Sequence, residues 1–194
     1  MTTSTLDRRE MLPHLFPNPD RYLFISGLAG PARDAAALTS DGNNLFTMAG
    51  TMGAAVSMGL GVALSAPESQ VAVITGDGEL LMNIGSLATI ASMQPENLSI
   101  VCIDNGCHGE TGGQPGHTSR MTDLAKMAEG AGIRSVKTIS SPDDLPDAAA
   151  FLQETTGPRF LLARVMQGEP TVFRRNLDPA ACRHRFRNSY LATA

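Results

Sequence analysis

The chain has 194 residues, 42% of them hydrophobic, and a formal net charge of −4. That length suits one α/β domain with a sizeable core and hardly two, and the acidic balance gives no footing for nucleic-acid binding. No apolar stretch is long enough to span a membrane, and the N-terminal MTTSTLDRREMLPHLF lacks the apolar core of a signal peptide, so a cytoplasmic protein is expected. Residues 1–20 read as a polar lead-in, with a short helix over Asp7–Leu15 and a turn at Phe16-Pro17-Asn18-Pro19-Asp20. Tyr22–Ser26 is a short apolar strand, followed by Gly27 and a helical segment near Ala32–Leu38. Asp41-Gly42-Asn43 marks a turn, and Asn44–Met48 is a further short strand.

The segment Ala49–Ala66 reads AGTMGAAVSMGLGVALSA and sets Met52, Val56, Leu60 and Leu64 at helical spacing. Gly53, Gly59 and Gly61 each lower its helix propensity by about 1 kcal/mol relative to Ala. Close approach of another backbone or of a flat ligand would account for that cost, and so would tight packing of a buried helix.

The centre of the chain is Val71–Ser119. An apolar run, Val71–Thr75, stops at Gly76-Asp77-Gly78; an apolar-periodic segment, Glu79–Met93, reads as one helix; a second run, Leu98–Ile103, stops at Asp104-Asn105-Gly106. In such a βαβ unit both loops leave the same edge of a parallel sheet. Asp77 and Asn105 then face each other across strand ends, as oxygen ligands suited to a hard cation such as Mg²⁺. The glycines admit backbone N–H groups to an anion, and the helix N-terminus points its positive end there. Metal, amide donors and dipole together describe a diphosphate site.

Downstream, Thr118–Thr122 is a polar connection, Asp123–Ala131 a helix ending at Gly132, and Ile133–Ile139 a strand. Ser141-Pro142-Asp143-Asp144 starts a helix whose face is Leu145, Ala148, Ala149 and Leu152, and Gly157-Pro158 stops it before the last strand, Phe160–Val165. Strands and helices alternate, so the expected fold is a doubly wound parallel sheet with helices on both faces. The domain is expected over 21–166. The tail, 167–194, carries Arg174, Arg175, Arg183, Arg185 and Arg187 against Glu169 and Asp178. It reads as a solvated or partner-facing surface, the sharper alternative being that one of these arginines reaches an anionic substrate. Cys102, Cys107 and Cys182 show no C-x-x-C spacing and indicate neither zinc nor disulfides.

Gly76-Asp77-Gly78, the spacing to Asn105, and the continuation Asn105-Gly106-Cys107-His108 with Thr111-Gly112-Gly113-Gln114 resemble the thiamine diphosphate-dependent 2-oxo acid decarboxylases. The likeness is to the phosphonopyruvate and sulfopyruvate enzymes, in particular to the pyrophosphate-binding β subunit of the latter. It covers roughly Tyr22 to Val165. The resemblance implies thiamine diphosphate and Mg²⁺ as cofactors. It implies Asp77, the Asn105 side-chain oxygen and the Cys107 carbonyl as metal ligands, with Asp104 standing where many relatives have an Asn. Candidate cofactor contacts are Ser26, Gly27, Gly50, Thr51, Met52, Gly76, Asp77, Gly78, Glu79, Leu80, Asn105, Cys107 and His108. Among these, the amides of Gly78, Glu79 and Leu80 would meet the diphosphate, the Gly50 carbonyl the 4′-amino group, and Met52 would prop the bent cofactor. Read from the residues alone, Ser26 is as well explained by a helix cap and Met52 by core packing.

His108 and Gln114 are the catalytic candidates, His108 as an acid or base near neutrality or as a loop histidine that only bonds its surroundings. His117 is the weaker candidate of the same kind, and Gln114 and Thr111 could equally close their loop. Relatives also use a Glu on a pyrimidine-binding domain, and the residues before Tyr22 are too few for one. An α subunit carrying that Glu is therefore expected, in an α2β2 or larger hetero-oligomer, acting on a small 2-oxo acid. Carboligase or lyase chemistry on the same cofactor is the enzymatic alternative. A 2-oxo acid:ferredoxin oxidoreductase subunit fits less well, for want of a cysteine cluster. A non-catalytic nucleotide-binding module is the alternative of another class, and neither G-x-x-x-x-G-K nor a helix-opening G-x-G-x-x-G is present.

Overall fold

The computed structural model describes residues 4–153 and 156–193; the first three residues of the lead-in, residues 154–155 of the domain and residue 194 of the tail lie outside them. In chain order the elements are α1 (Arg8–Leu15), β1 (Tyr22–Ser26), α2 (Ala29–Thr39), β2 (Leu45–Thr47), α3 (Ala55–Ser65), β3 (Gln70–Gly76), α4 (Asp77–Met82) and α5 (Ser86–Met93). They continue with β4 (Leu98–Asp104), a short pair β5 (Cys107–His108) and β6 (Gln114–Pro115), α6 (Leu124–Ala131), β7 (Ser135–Ile139), α7 (Leu145–Gln153), β8 (Arg159–Arg164) and α8 (Pro179–Thr193).

Six strands form one sheet in the order β2-β1-β3-β4-β8-β7, every neighbouring pair parallel. Side chains alternate across it. Phe24, Ile74, Val101 and Leu161 face a core shared with α1, α2 and α7. Ile25, Val73, Ile100 and Leu162 face a second core with α3, α5 and α6. This is the doubly wound α/β fold that the alternation of segments predicts. From β1 the chain steps out to β2 and returns to β3 on the other side, so a crevice opens between the ends of β1 and β3, where such sheets bind ligands.

Two helix expectations need correction. The segment Ala49–Ala66 is not helical throughout: α3 starts at Ala55, and Ala49, Gly50 and Gly53 take positive φ values of 50°, 124° and 84° that no helix accommodates. The expected helix Glu79–Met93 is two, α4 and α5, separated by a turn at Asn83–Gly85. The apolar period survives the break because Leu80, Leu87 and Ile90 all point into the same core. Within α3, Gly59 is required by packing, since a Cβ there would lie 2.2 Å from Val73 Cγ2, whereas one at Gly61 would meet nothing within 4 Å. The tail is not all solvated surface. α8 buries Cys182 and Phe186 over the edge strand β2, with Phe186 edge-on to Phe46 at 5.8 Å, which covers an otherwise exposed sheet edge.

Candidate functional site

The C-terminal ends of β1, β3 and β4 bring three loops to one edge of the sheet. They surround a cavity of about 270 Å³ lined by Met52, Gly76, Asp77, Gly78, Glu79, Asn105, Cys107 and His108 among others. Residues far apart in sequence are thus gathered by strand order alone.

Asp77 opens α4 and is buried. Its carboxyl is pushed up to about 6, first by burial and then by the Asp104 carboxylate, with a hydrogen bond from Thr118 pulling the other way. Thr118 Oγ1 lies 3.1 Å from Asp77 Oδ2 and 2.6 Å from Asp104 Oδ1. One hydroxyl proton cannot serve both acids at once. Two carboxylates held together, with no ion pair to Asp77 among the described residues, form a site that a cation would relieve. Asn105 is half-buried beside them, its Oδ1 accepting from the Cys107 amide at 3.2 Å, which fixes the turn into β5.

Glu79 is the second buried acid. Burial raises its pKa, opposed by the Thr75 hydroxyl and by backbone amides of Leu28, Gly53 and Gly76. Its Oε2 accepts from the Leu28 amide at 3.4 Å, while Oε1 is buried without a hydrogen-bond partner among the described residues. The carboxyl lies so close over Gly27 that a Cβ there would be 1.5 Å from Oε1. Glu79 therefore clamps the loop after β1 onto the loop after β3. At Gly78 a side chain would press on the His108 ring, 3.3 Å away, so this histidine stands directly over the Gly76-Asp77-Gly78 turn.

Not every candidate residue reaches the cavity. Ser26 is fully buried and donates to the Ile74 carbonyl at 2.8 Å, stitching β1 to β3. Gly27 sits beneath Glu79, and Leu80 is core. Gly50 and Thr51 are exposed beside the cavity-lining Met52, which is itself 39% exposed and so is no core residue. Gln114 turns back on Thr111, accepting from Oγ1 at 3.0 Å and donating to its carbonyl at 2.7 Å, so both close their loop. His117 packs edge-on to His108 at 6.3 Å and is exposed.

Three residues at the site carry no signal in the sequence: Thr118, Arg8 and Arg33. Arg8, in the short helix of the polar lead-in, is buried and donates through Nε (2.8 Å) and Nη2 (2.7 Å) to Asp34 Oδ2. Arg33 lines the outer cavity and pairs with Glu110 at 3.3 Å.

Residues 33–163 match the model of the family described as "Thiamine pyrophosphate enzyme, C-terminal TPP binding domain". The chain belongs to that family. It is 39% identical over 173 residues to phosphonopyruvate decarboxylase of Streptomyces viridochromogenes, covering 82% of this chain and 43% of that one. It thus spans less than half of that relative's length. It is 33% identical over 184 residues to sulfopyruvate decarboxylase subunit beta of Methanococcus maripaludis, covering 95% of this chain and 97% of the relative. The fold is similar to 2-oxoglutarate:ferredoxin oxidoreductase from Magnetococcus marinus, with a TM-score of 0.60 at 18% identity over 86% of this chain and 62% of that one. Among the described residues no helix is long and apolar enough to cross a membrane.

Proposed function

We propose that this chain is the diphosphate-anchoring β subunit of a thiamine diphosphate-dependent decarboxylase for a small 2-oxo acid carrying a sulfonate or phosphonate group. The observation that supports this most is the buried Asp77 carboxylate facing Asp104 in a glycine-lined cavity at the β1–β3 crevice, in a chain of this family. The residues present fit the group. Asp77, the Asn105 side-chain oxygen and the Cys107 carbonyl are the hard oxygen donors that Mg²⁺ takes. The first-turn amides of Gly78 and Glu79, which precede the first intrahelical bond of α4 and line the cavity, would donate to diphosphate oxygens, whereas the Leu80 amide is the one that the Gly76 carbonyl takes up.

Thiamine diphosphate, when bound, supplies the electron sink that decarboxylation of a 2-oxo acid requires. The chain's own residues supply position and charge. Thr118 steers the Asp77 carboxylate, and Glu79 locks the two loops against each other. Met52, exposed on a loop with positive-φ neighbours, is placed to prop the cofactor without being needed by the core. His108, over the turn, is the side chain available to hold or pass a proton at the diphosphate end. A partner α subunit would bring the pyrimidine-binding domain and its Glu. The exposed Met82 and Leu64, near Met52 and on α3, suit an interface with that partner.

The test is reconstitution. CO₂ release from sulfopyruvate, phosphonopyruvate and pyruvate is measured with this chain alone and with its partner, in the presence of Mg²⁺ and thiamine diphosphate. Turnover is expected only with both chains; sustained turnover by this chain alone would refute the split site.

A further inference from the structure

Two arginines line the cavity, and they are not equivalent. Arg8 is buried and committed to Asp34 by two short hydrogen bonds, so its charge is already matched by a carboxylate. Arg33 is partly open, and its partner Glu110 is a half-exposed side chain on the loop between β5 and β6, in contact at a loose 3.3 Å. Exposed pairs of this kind contribute little and are readily exchanged for a better anion.

A second guanidinium lies near enough to the first to feel its charge. Arg175, in the segment that leaves β8 and runs past α2, is partly buried, and its Nη1 has no hydrogen-bond partner among the described residues. Its pKa is lowered first by burial and then by the nearness of Arg33. The segment is pinned on either side of it: the Thr171 amide donates to Asp34 at 2.8 Å, and the Asn176 amide to Asp41 at 2.9 Å. Arg175 does not line the cavity and its unpaired Nη1 is buried, so it adds positive field beside Arg33 and is no direct ligand contact; the side chain open to an anion is Arg33.

The rest of the cavity says which end an anion can use. Its inner end holds Asp77 and Glu79. On the function proposed above that end is taken by the cofactor's diphosphate, itself an anion, so the second acidic group of a 2-oxo acid must lie elsewhere. The other acids lining the cavity are Glu110, already spent on Arg33, and Glu169, which is exposed.

We propose that Arg33, backed by Arg175, is the subsite that takes the distal sulfonate or phosphonate of the substrate, displacing Glu110. The inference rests on the function proposed above and names the residues that set its substrate class. Arg33→Gln, Arg33→Lys, Arg175→Gln and Glu110→Gln are assayed in the complex with the partner subunit, on sulfopyruvate and on pyruvate. Arg33→Gln is expected to raise KM for sulfopyruvate roughly 10- to 100-fold, the range for a lost hydrogen bond to a charged group. It is expected to leave kcat/KM for pyruvate nearly unchanged. Arg175→Gln raises the same KM by less, Arg33→Lys restores part of the loss, and Glu110→Gln lowers it.

Equal losses on both substrates would overturn the subsite, as would no loss on either. Weakened binding of thiamine diphosphate to Arg33→Gln, followed by calorimetry on this chain, would also overturn it by giving the guanidinium to the diphosphate. Wild-type complex that decarboxylates neither substrate would refute the function itself, a result independent of both arginines.

Discussion

Replacing Asp77 by Asn should stabilise the metal-free protein while abolishing its response to Mg²⁺ and cofactor. Burial and Asp104 hold the folded-state pKa of Asp77 at about 6, against 3.8 for a free carboxyl. A raised acid pKa means that the folded state binds the proton more tightly, so ionisation works against folding. Below 3.8 both states are protonated and nothing is lost; between 3.8 and 6 the loss accumulates; above 6 it is complete and constant. The shift corresponds to about 3 kcal/mol. Asn keeps the shape and removes the charge, so the metal-free variant is expected to gain stability at pH 7, with about 3 kcal/mol as the ceiling. The gain should vanish near pH 4. Urea unfolding between pH 4 and 8 without metal measures this directly. Adding Mg²⁺ and thiamine diphosphate should then raise the wild-type midpoint and leave the variant where it was. A variant less stable than wild type at pH 7, or one stabilised equally by the cofactor, would refute the reasoning.

Met52→Ala should lower turnover of the reconstituted enzyme more than it lowers cofactor affinity, and, because Met52 is exposed, leave the unfolding midpoint unchanged; a large loss of stability would return Met52 to the core. Gly59→Ala should destabilise the chain by about 1–3 kcal/mol, since its methyl meets Val73 at 2.2 Å. Gly61→Ala, in open space on the same helix, should instead stabilise it by up to about 1 kcal/mol, and the opposite order in thermal melts would discredit the packing of α3 on β3. Asp34→Ala leaves the Arg8 guanidinium buried without its partner and should cost about 3–5 kcal/mol by denaturant titration; a loss below 1 kcal/mol would show that this pair is not desolvated.

Much of this architecture is legible in the sequence because it is local. The apolar runs Val71–Thr75 and Leu98–Ile103 end at turn residues, and a strand ends where its turn begins. The Gly-Asp-Gly and Asp-Asn-Gly turns therefore arrive at one sheet edge by topology alone. Period, however, cannot report a break that keeps the same face inward. α4 and α5 read as one helix because Leu80, Leu87 and Ile90 stay in register with one core across the turn. The contacts at that break are tertiary: a Cβ on Gly53 would come within 3.1 Å of the Met82 Cβ, and the Asn83 amide donates to Ser57 Oγ at 3.2 Å. Met52 matched a helical stripe that ends before it is reached. Thr118 and Arg8 are invisible for a related reason. Each owes its place to a carboxylate distant in the chain, and neither residue type nor spacing encodes such a partner.

The balance of charge explains why the site is arranged across three strands and not within one. Asp77, Glu79 and Asp104 are each buried, and two of them carry raised pKa values whose first cause is burial. Left to itself such a group opposes folding, so the surrounding structure must over-determine its position. The constraints here come from separate elements: the Thr118 hydroxyl from the loop after β6, the Leu28 amide from the loop after β1, and Gly27, which admits the Glu79 carboxyl only because it has no side chain. Asp104 adds a constraint of its own, since its Oδ1 accepts from the Gly106 amide at 3.0 Å and so holds the turn that presents Asn105. An Asn at position 104 could make that bond without adding a charge. The Asp instead deepens the negative field at Asp77, which disfavours the empty site and favours a divalent cation within it. On the function proposed above, the stability that Asp77 gives up in the metal-free chain would be returned when a divalent cation binds.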